Sequence, residues 1–262
     1  MEPRVLQTDD RGSGPAVILI PGGLTGWVSW EPHQLRLADS YRVIRVQPIH
    51  NELGSAGVPG DLSYTAEIDR ESLHLTLENL GVKTAAFAGW SRGGGAAVEY
   101  VLEFPSQVRS LTLIEPEVSW VLSEDESLGP DLPREDMAFL DAIVGTEVSE
   151  NDLARLLTIF GITEDSNQAK THPMWEIWVK HRNALSWPYE NTTDPKRSTT
   201  DLQTIQCPVL LIKGINSAPR DRAIVDALGR YIANAQIVEL NGGHASHIES
   251  IDRFLEEFET RI

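Results

Sequence analysis

A serine between two glycines carries the clearest chemical signal in the chain, in the pentapeptide Gly89-Trp90-Ser91-Arg92-Gly93. Residues 84–88 before it are short and apolar like a buried strand, and residues 94–104 after it have helical periodicity and stop at Pro105. A serine on a sharp turn between a strand and a helix is a nucleophile elbow, which lifts the hydroxyl above the sheet. The turn also points the helix N-terminus at any negative charge that develops there. The pattern therefore predicts Ser91 as a nucleophile.

A serine nucleophile needs a base to take its proton and a carboxylate to orient that base. Histidine suits the first role because its pKa lies near neutrality. His244 follows two glycines after a predicted strand, where a loop can reach over the elbow, and it is the predicted base, with His247 as the alternative. Glu115 directly follows a buried apolar strand, where a carboxylate is costly to desolvate without a charged partner. It is the predicted acid, with Asp221 and Glu117 as alternatives. We expect the other histidines on the surface or in a helical insertion: His33, His50, His74, His172 and His181.

These residues must be positioned by the strands and helices around them, which alternate along much of the chain. The alternation indicates an α/β protein with a mostly parallel central sheet flanked by helices. Predicted strands cover residues 5–8, 16–20, 41–46, 84–88, 108–114, 208–212 and 235–240, and predicted helices cover 64–80, 94–104, 222–231 and 248–262. Further helices are predicted at 133–144, from the N-cap Ser149 to Gly161, and at 174–185. We therefore predict a core of residues 1–117 and 201–262 and a helical lid of residues 118–200, in which residues 191–200 return the chain to the core.

Together these features resemble the α/β-hydrolase fold. The resemblance covers nearly the whole chain outside the lid and rests on four stretches: the Ser91 pentapeptide, Ile20-Pro21-Gly22-Gly23-Leu24, residues 208–214, and the G-H-x-x-x-x-E pattern at 243–249. The chain order of nucleophile, acid and histidine also fits. Many members carry an aspartate in the loop after the late strand, but residues 214–217 here contain no carboxylate. Glu115 occupies the other acid position known in the family.

The resemblance also implies an oxyanion hole and a substrate pocket. Two backbone amides would bind the oxyanion, one from Arg92 just after the nucleophile and one from Gly23. Pro21 replaces the histidine that is usual in the family, which leaves the backbone donor in place. For the Arg92 side chain we favour tying down the elbow over binding a substrate carboxylate. An aromatic-walled site would suit an apolar acyl or alcohol group. The predicted substrate-binding residues are Leu24, Trp178 and Trp187.

Composition narrows the possible functions. The net charge of −17 argues against a nucleic-acid partner, which needs basic stripes, and against an anionic membrane surface. Residues 115–165 hold fourteen acidic residues against two arginines, which we interpret as a solvated helical face; repulsion of anionic substrates is the alternative. No apolar run could span a bilayer, no signal layout begins the chain, and the single Cys207 excludes an internal disulfide. We therefore expect a cytoplasmic protein; the oligomeric state is open.

The resemblance implies a serine hydrolase that cleaves a small apolar carboxylic ester or lactone through an acyl-enzyme and requires no metal or organic cofactor. The acid at Glu115 is similar to that of a subgroup that includes lactonases of zearalenone-type macrolactones. Carbon–carbon bond hydrolases share the same three residues and are an alternative. Serine rather than aspartate at position 91 argues against a dehalogenase or an epoxide hydrolase. A catalytically silent ligand-binding protein is the non-enzyme alternative.

Overall fold

The computed structural model describes residues 1–123, 132–188 and 197–262. Within these residues a seven-stranded sheet has the order β1-β3-β2-β4-β5-β6-β7, in which β1 pairs antiparallel with β3 and all other neighbours are parallel. The strands are β1 (Gln7–Arg11), β2 (Ala16–Ile20), β3 (Arg42–Gln47), β4 (Ala85–Trp90), β5 (Val108–Ile114), β6 (Val209–Gly214) and β7 (Ala235–Leu240). The predicted sheet is therefore confirmed, with the first strand two residues later than expected.

Helices cover both faces of the sheet. They are α1 (Glu31–Leu37), α2 (Ile49–Ser55), α3 (Ala66–Asn79), α4 (Arg92–Glu103), α5 (Trp120–Ser123), α6 (Arg134–Ile143), α7 (Glu150–Ile159), α8 (Ser166–Thr171), α9 (Trp175–His181), α10 (Thr199–Leu202), α11 (Pro219–Tyr231), α12 (Ser246–Glu249) and α13 (Ile251–Glu259), with short 3-10 helices at Gly26–Trp30, Pro105–Gln107 and Arg182–Ser186. No helix in the described part of the chain is long and apolar enough to cross a membrane.

The central strands read as continuous apolar runs because both of their faces are covered. Alternate residues of each strand point to opposite faces, so Ile18 joins one core cluster with α3, α4 and α11, while Val17 joins the other with α1 and α13. The parallel strands β2, β4, β5 and β6 all end at one edge of the sheet. The loops that carry the predicted site residues leave from that edge.

Residues 132–188, here called the helical segment, form a small core of their own from α6, α7, α8 and α9. The predicted N-cap at Ser149 is present as a capping box with Asp152. The C-terminal end of the helical segment is bound to the main core, because the Asn183 side-chain amide donates to the Gly57 carbonyl (3.0 Å) and the Ser186 hydroxyl accepts from the Gly60 N–H (2.9 Å). Most of the predicted return segment, residues 191–196, lies outside the described residues.

Two histidines expected on the surface lie in the interior instead. His33 on α1 is 0% exposed and His50 on α2 is 1% exposed. Each belongs to a seven-residue helix that the sequence did not reveal, since so short a stretch gives little periodicity. The His33 ring packs against Trp30 and Phe254, and its Nε2 lies 3.0 Å from the His247 carbonyl oxygen. The surface prediction was therefore wrong for both residues.

Candidate active site

Ser91 lies on the tight turn between β4 and α4, with φ 53° and ψ −122°. A non-glycine residue rarely adopts positive φ, so this turn is strained. The flanking glycines allow it: a Cβ at Gly89 would lie 2.5 Å from the Gly93 carbonyl oxygen, and a Cβ at Gly93 would collide with the carbonyls of Ile20 and Pro21. The turn therefore has the geometry that the G-x-S-x-G pattern predicts, and it brings the residue 91 backbone against the loop after β2.

The predicted base and acid are in contact. His244 Nδ1 lies 2.8 Å from Oε2 of Glu115, the residue that directly follows β5. The other carboxylate oxygen of Glu115 accepts the Gly214 N–H at 2.7 Å, and the side chain is completely buried. Glu115 also has a positive φ, 39°, which is rare for a residue other than glycine. Glu115 is therefore fixed at both oxygens and holds the imidazole from the side opposite Nε2.

A second carboxylate reaches the same nitrogen. Asp221, in the first turn of α11, places Oδ2 3.4 Å from His244 Nδ1. Arg220 lies 3.4 Å from the other Asp221 oxygen and 2.8 Å from Glu117 Oε1. The alternative acid Glu117 thus pairs with an arginine, whereas Asp221 joins Glu115 at His244. One ligand atom from each of Glu115, Asp221 and His244 lies within 4.8 Å of the others, but the 2.8 Å contact of His244 Nδ1 with Glu115 is a hydrogen bond, so we assign no metal to this group.

The two carboxylates change the proton affinity of the histidine. Burial lowers the pKa of His244, but hydrogen bonds and charge attraction from Asp221 and Glu115 outweigh burial and raise that pKa above its ordinary value of 6.5. Burial raises the pKa of Asp221, yet the contacts with His244 and Arg220 bring it below its ordinary value. The site therefore stabilises a protonated imidazole, the form that a general base takes once it has accepted the serine proton.

The alternative histidine, His247, is placed differently. It is fully buried in α12, with its ring between those of Trp30 (4.7 Å) and Trp90 (4.8 Å). Burial and the neighbouring charges of His33 and His244 lower its pKa well below 6.5. His247 therefore packs beneath the loop that carries His244.

The loop after β2 is held by a residue that the sequence analysis missed. Asn51 on α2 is fully buried, and its side-chain amide donates to the carbonyls of Gly23 (2.8 Å) and Gly22 (3.3 Å). A Cβ on Gly22 would lie 3.4 Å from the Ser91 Cβ, so this loop lies directly beside the serine. Pro48 directly before α2 is a local sign of a helix start there. Nothing in a single sequence connects Asn51 with the glycines.

The Arg92 side chain points away from solvent toward the end of the helical segment. It is 7% exposed and donates to the carbonyls of Trp187 (3.1 Å) and Pro188 (2.8 Å). Its guanidinium lies 5.5 Å from the centre of the Tyr64 ring and 4.0 Å from Asp69. These contacts tie the elbow to the core, which is the role favoured for this side chain.

The predicted substrate-binding residues fall into two places. Leu24 and Trp178 both belong to the apolar core of the helical segment. Leu24 is the residue that follows Gly23 in the chain, so this core extends to the loop after β2. Trp187 is fully buried in the main core, with its ring 5.0 Å from that of Tyr64. Their roles in substrate binding stay predictions.

A cavity of about 690 Å³ opens between the helical segment and the start of α11. Its lining includes Asp221 and Arg220 but, among the described residues, neither Ser91 nor His244. The cavity therefore reaches the acid side of the site rather than the serine.

The fold agrees with the comparisons. The sequence model of the Alpha/beta hydrolase family matches residues 17–257. The chain belongs to the alpha/beta hydrolase family. This alpha/beta hydrolase is 25% identical to carboxylesterase YbfK of Bacillus subtilis over 245 residues, which cover 90% of this chain and 76% of the relative. It is 28% identical to a 2-hydroxymuconate semialdehyde hydrolase of Pseudomonas putida over 254 residues, 93% of this chain and 82% of the relative.

Solved structures show the same fold. The crystal structure of carboxylesterase CesB (YbfK) from Bacillus subtilis matches this alpha/beta hydrolase with a TM-score of 0.71 at 20% identity, and the match covers 99% of this chain and 89% of that chain. The predicted α/β-hydrolase fold is therefore confirmed. Because the similar proteins carry the names of different hydrolases, the reaction has to be inferred from the site.

Proposed function

We propose that this protein is a serine hydrolase that cleaves a carboxylic ester or lactone of a small apolar substrate through an acyl-enzyme. The observation that carries the proposal is the pairing of His244 Nδ1 with Glu115 at 2.8 Å, on a loop whose His244 carbonyl accepts a hydrogen bond from Trp90, the residue before the serine of the strained elbow. The identity with a carboxylesterase, 25% over 90% of the chain, supports ester chemistry. A carboxylate that orients a histidine next to a serine is the arrangement that acyl transfer needs.

In the proposed acylation, Ser91 Oγ attacks the substrate carbonyl carbon as its proton passes to His244 Nε2. Glu115 accepts from Nδ1–H and stabilises the imidazolium that forms. The backbone N–H groups of Gly23 and Arg92 bind the tetrahedral oxyanion. When the intermediate collapses, the carbon–oxygen bond to the alcohol breaks and His244 gives its proton to the leaving alkoxide.

In the proposed deacylation, a water molecule attacks the acyl carbon while His244 takes one of its protons. The second tetrahedral intermediate expels the Ser91 oxygen, which regains its proton from His244. The products are a carboxylic acid and the free enzyme. This sequence of steps needs no metal or organic cofactor.

The proposed acyl or alcohol group lies under the helical segment. Residues 118–200 would act as a lid, and Leu24 and Trp178 support an apolar wall because they share one cluster above the loop that holds Gly23. We place Trp187 behind this wall as a further substrate-binding candidate. A small-molecule substrate suits a chain whose net charge of −17 disfavours nucleic acid as a partner. The proposed location is the cytoplasm.

Two narrower alternatives have specific support. Hydrolysis of a carbon–carbon bond is the second candidate, because of the 28% identity with a 2-hydroxymuconate semialdehyde hydrolase. A macrolactone of the zearalenone type is a narrower substrate class, supported by an acid that directly follows β5 and contacts the histidine.

Intact-mass analysis after treatment with a fluorophosphonate tests the proposal. We expect one adduct on the wild type and none on Ser91→Ala. The control Ser106→Ala removes an exposed hydroxyl outside the elbow and should still give one adduct. A panel of esters, lactones and carbon–carbon substrates then ranks the candidates by kcat/KM. An unlabelled wild type, or a labelled Ser91→Ala variant, would contradict the serine mechanism.

A further inference from the structure

His244 Nδ1 has two carboxylate neighbours that come from different parts of the fold. Glu115 follows β5 and lies at 2.8 Å, and Asp221 begins α11 and lies at 3.4 Å. Nδ1 of an imidazole can carry no more than one hydrogen, so the shorter contact with Glu115 is the main hydrogen bond. Asp221 lies within the distance, about 4–6 Å, over which a negative charge favours the protonated imidazole.

Asp221 is held at this distance rather than left mobile. It is 8% exposed, and Arg220 lies 3.4 Å from the oxygen that does not face the histidine. Arg220 is itself bound to Glu117 at 2.8 Å, so one arginine serves two acids. The three carboxylates of this group outnumber its one guanidinium, so a proton on His244 reduces the excess of negative charge.

The two acids also differ in their surroundings. The Glu115 side chain is fully buried and is fixed by the Gly214 N–H. Asp221 lines the cavity of about 690 Å³ beside the helical segment. Several other titratable or charged groups lie around His244 and Asp221, on the elements packed against them: Glu115, Glu117, Arg220, His247 and Glu249, with Glu135, Asp136, Arg155 and Asp165 across the cavity.

We propose that Asp221 is a second carboxylate partner of the catalytic histidine, acting with Glu115 to hold one imidazole between the end of β5 and the start of α11. The proposal rests on the proposed serine mechanism. Asp221 is a positioning residue in this arrangement, because it acts on the reaction through His244. Its charge keeps the proton on the imidazole to a higher pH and supports the imidazolium during turnover.

Asp221→Asn should therefore change the pH dependence in one direction. Removing a negative charge near the ring lowers the pKa of His244, so the acid limb of the rate profile moves to lower pH by about 1 unit. The plateau at high pH falls by no more than about tenfold, because one unit of proton affinity corresponds to that factor in imidazolium stabilisation. Glu115→Gln should lower the rate at the plateau by about 100-fold or more.

The test is the second-order rate of fluorophosphonate labelling from pH 5 to 10, measured on the wild type, Asp221→Asn, Asp221→Glu, Glu115→Gln and the Glu115→Gln/Asp221→Asn double variant. Asp226→Asn is the matched control, since Asp226 is on the same helix and pairs with Lys213. We expect a shifted limb in Asp221→Asn, a restored limb in Asp221→Glu, and a double variant slower than Glu115→Gln alone.

A direct titration of the His244 ring by nitrogen-15 NMR, in a Ser91→Ala background, gives the same comparison without activity. The midpoint should fall when Asp221→Asn is added. Equal limbs and equal NMR midpoints in Asp221→Asn and the wild type would overturn the role of Asp221 while the labelled wild type upholds the serine mechanism. A wild type that never labels would overturn both proposals.

Discussion

The indole Nε1 of Trp90 donates a 2.8 Å hydrogen bond to the main-chain carbonyl of His244. The residue directly before the nucleophile therefore holds the loop that carries the proposed base. This bond joins the end of β4 to the loop after β7. In the sheet, β5 and β6 lie between these two strands. The spacing between Ser91 and His244 thus depends on a side chain that takes no part in the chemistry.

Trp90→Phe should lower kcat/KM by about tenfold, because a small displacement of a catalytic group is costly to the rate. The free energy of unfolding should fall by about 1 kcal/mol for the lost hydrogen bond. Trp30→Phe is the matched control, since Trp30 also packs on His247 but its Nε1 has no hydrogen-bond partner among the described residues. Esterase assays and urea unfolding check both values. A rate loss as large in Trp30→Phe would assign the effect to packing instead.

The strain at Ser91 should be visible in stability. Ser91→Ala and Ser91→Gly should both abolish turnover, but Ser91→Gly should be more stable by about 1 kcal/mol, because glycine adopts positive φ without a steric penalty. Chemical denaturation of the two variants measures the difference. Substantial turnover in either one would contradict the assignment of the nucleophile, and equal stabilities would show that the turn is not strained.

Asn51 should affect the rate more than substrate binding. Asn51→Asp removes the amide protons that bond the Gly22 and Gly23 carbonyls, so the loop that carries the proposed oxyanion donor loses its support. We expect kcat to fall about tenfold or more with little change in KM, since that donor acts on the transition state. Asn234→Asp, at an exposed asparagine, is the control. A change confined to KM would place Asn51 in substrate binding.

Folding stability should decrease as the pH falls below neutrality. Burial lowers the pKa of His33 to about 4, whereas the unfolded chain has the ordinary value of 6.5. The unfolded state therefore binds more protons between pH 6.5 and about 4, and stability present above this window is lost across it. His244, whose pKa is raised, is protonated in both states there and adds no slope.

For His33 alone the loss is on the order of 3 kcal/mol across that window. His33→Phe should reduce the slope of the unfolding free energy with pH, and part of the remaining slope comes from His50 and His247, whose pKa values burial also lowers. His74→Phe, at a half-buried histidine on α3, is the control variant. Urea titrations at half-unit pH steps measure the slopes. Identical slopes in His33→Phe and the wild type would show that other groups control the acid transition.

Local patterns were enough to predict the residues of the proposed site that follow strands. Ser91, Glu115 and His244 each come just after an apolar run or a glycine pair, so their sequence neighbours announce them. Asn51 and the contact of Asp221 could not be predicted in this way. Asn51 reaches the glycines because of how α2 packs, and Asp221 reaches the histidine because of how the first turn of α11 faces the sheet edge. Such contacts are set by tertiary packing, which leaves no periodic trace.

The same division applies to the fold. The buried strand at 108–114 was predicted to the residue, because its apolar residues Val108, Leu111, Leu113 and Ile114 lie between Pro105 and Pro116. The last predicted helix, 248–262, is two helices that meet at Ser250, whose non-helical φ of −122° and ψ of 47° interrupt the run. The apolar period continued across the break, so the sequence showed one element.

Among the described residues, two that are not glycine adopt positive φ: Ser91 and Glu115. Their two turns are joined by a main-chain hydrogen bond, in which the Glu117 N–H donates to the Ser91 carbonyl at 2.9 Å. The main chain alone thus marks this region as exceptional, without reference to any side chain. A torsion-angle survey of a remote homologue, in which the reactive residue types had changed, would still single out the same two turns.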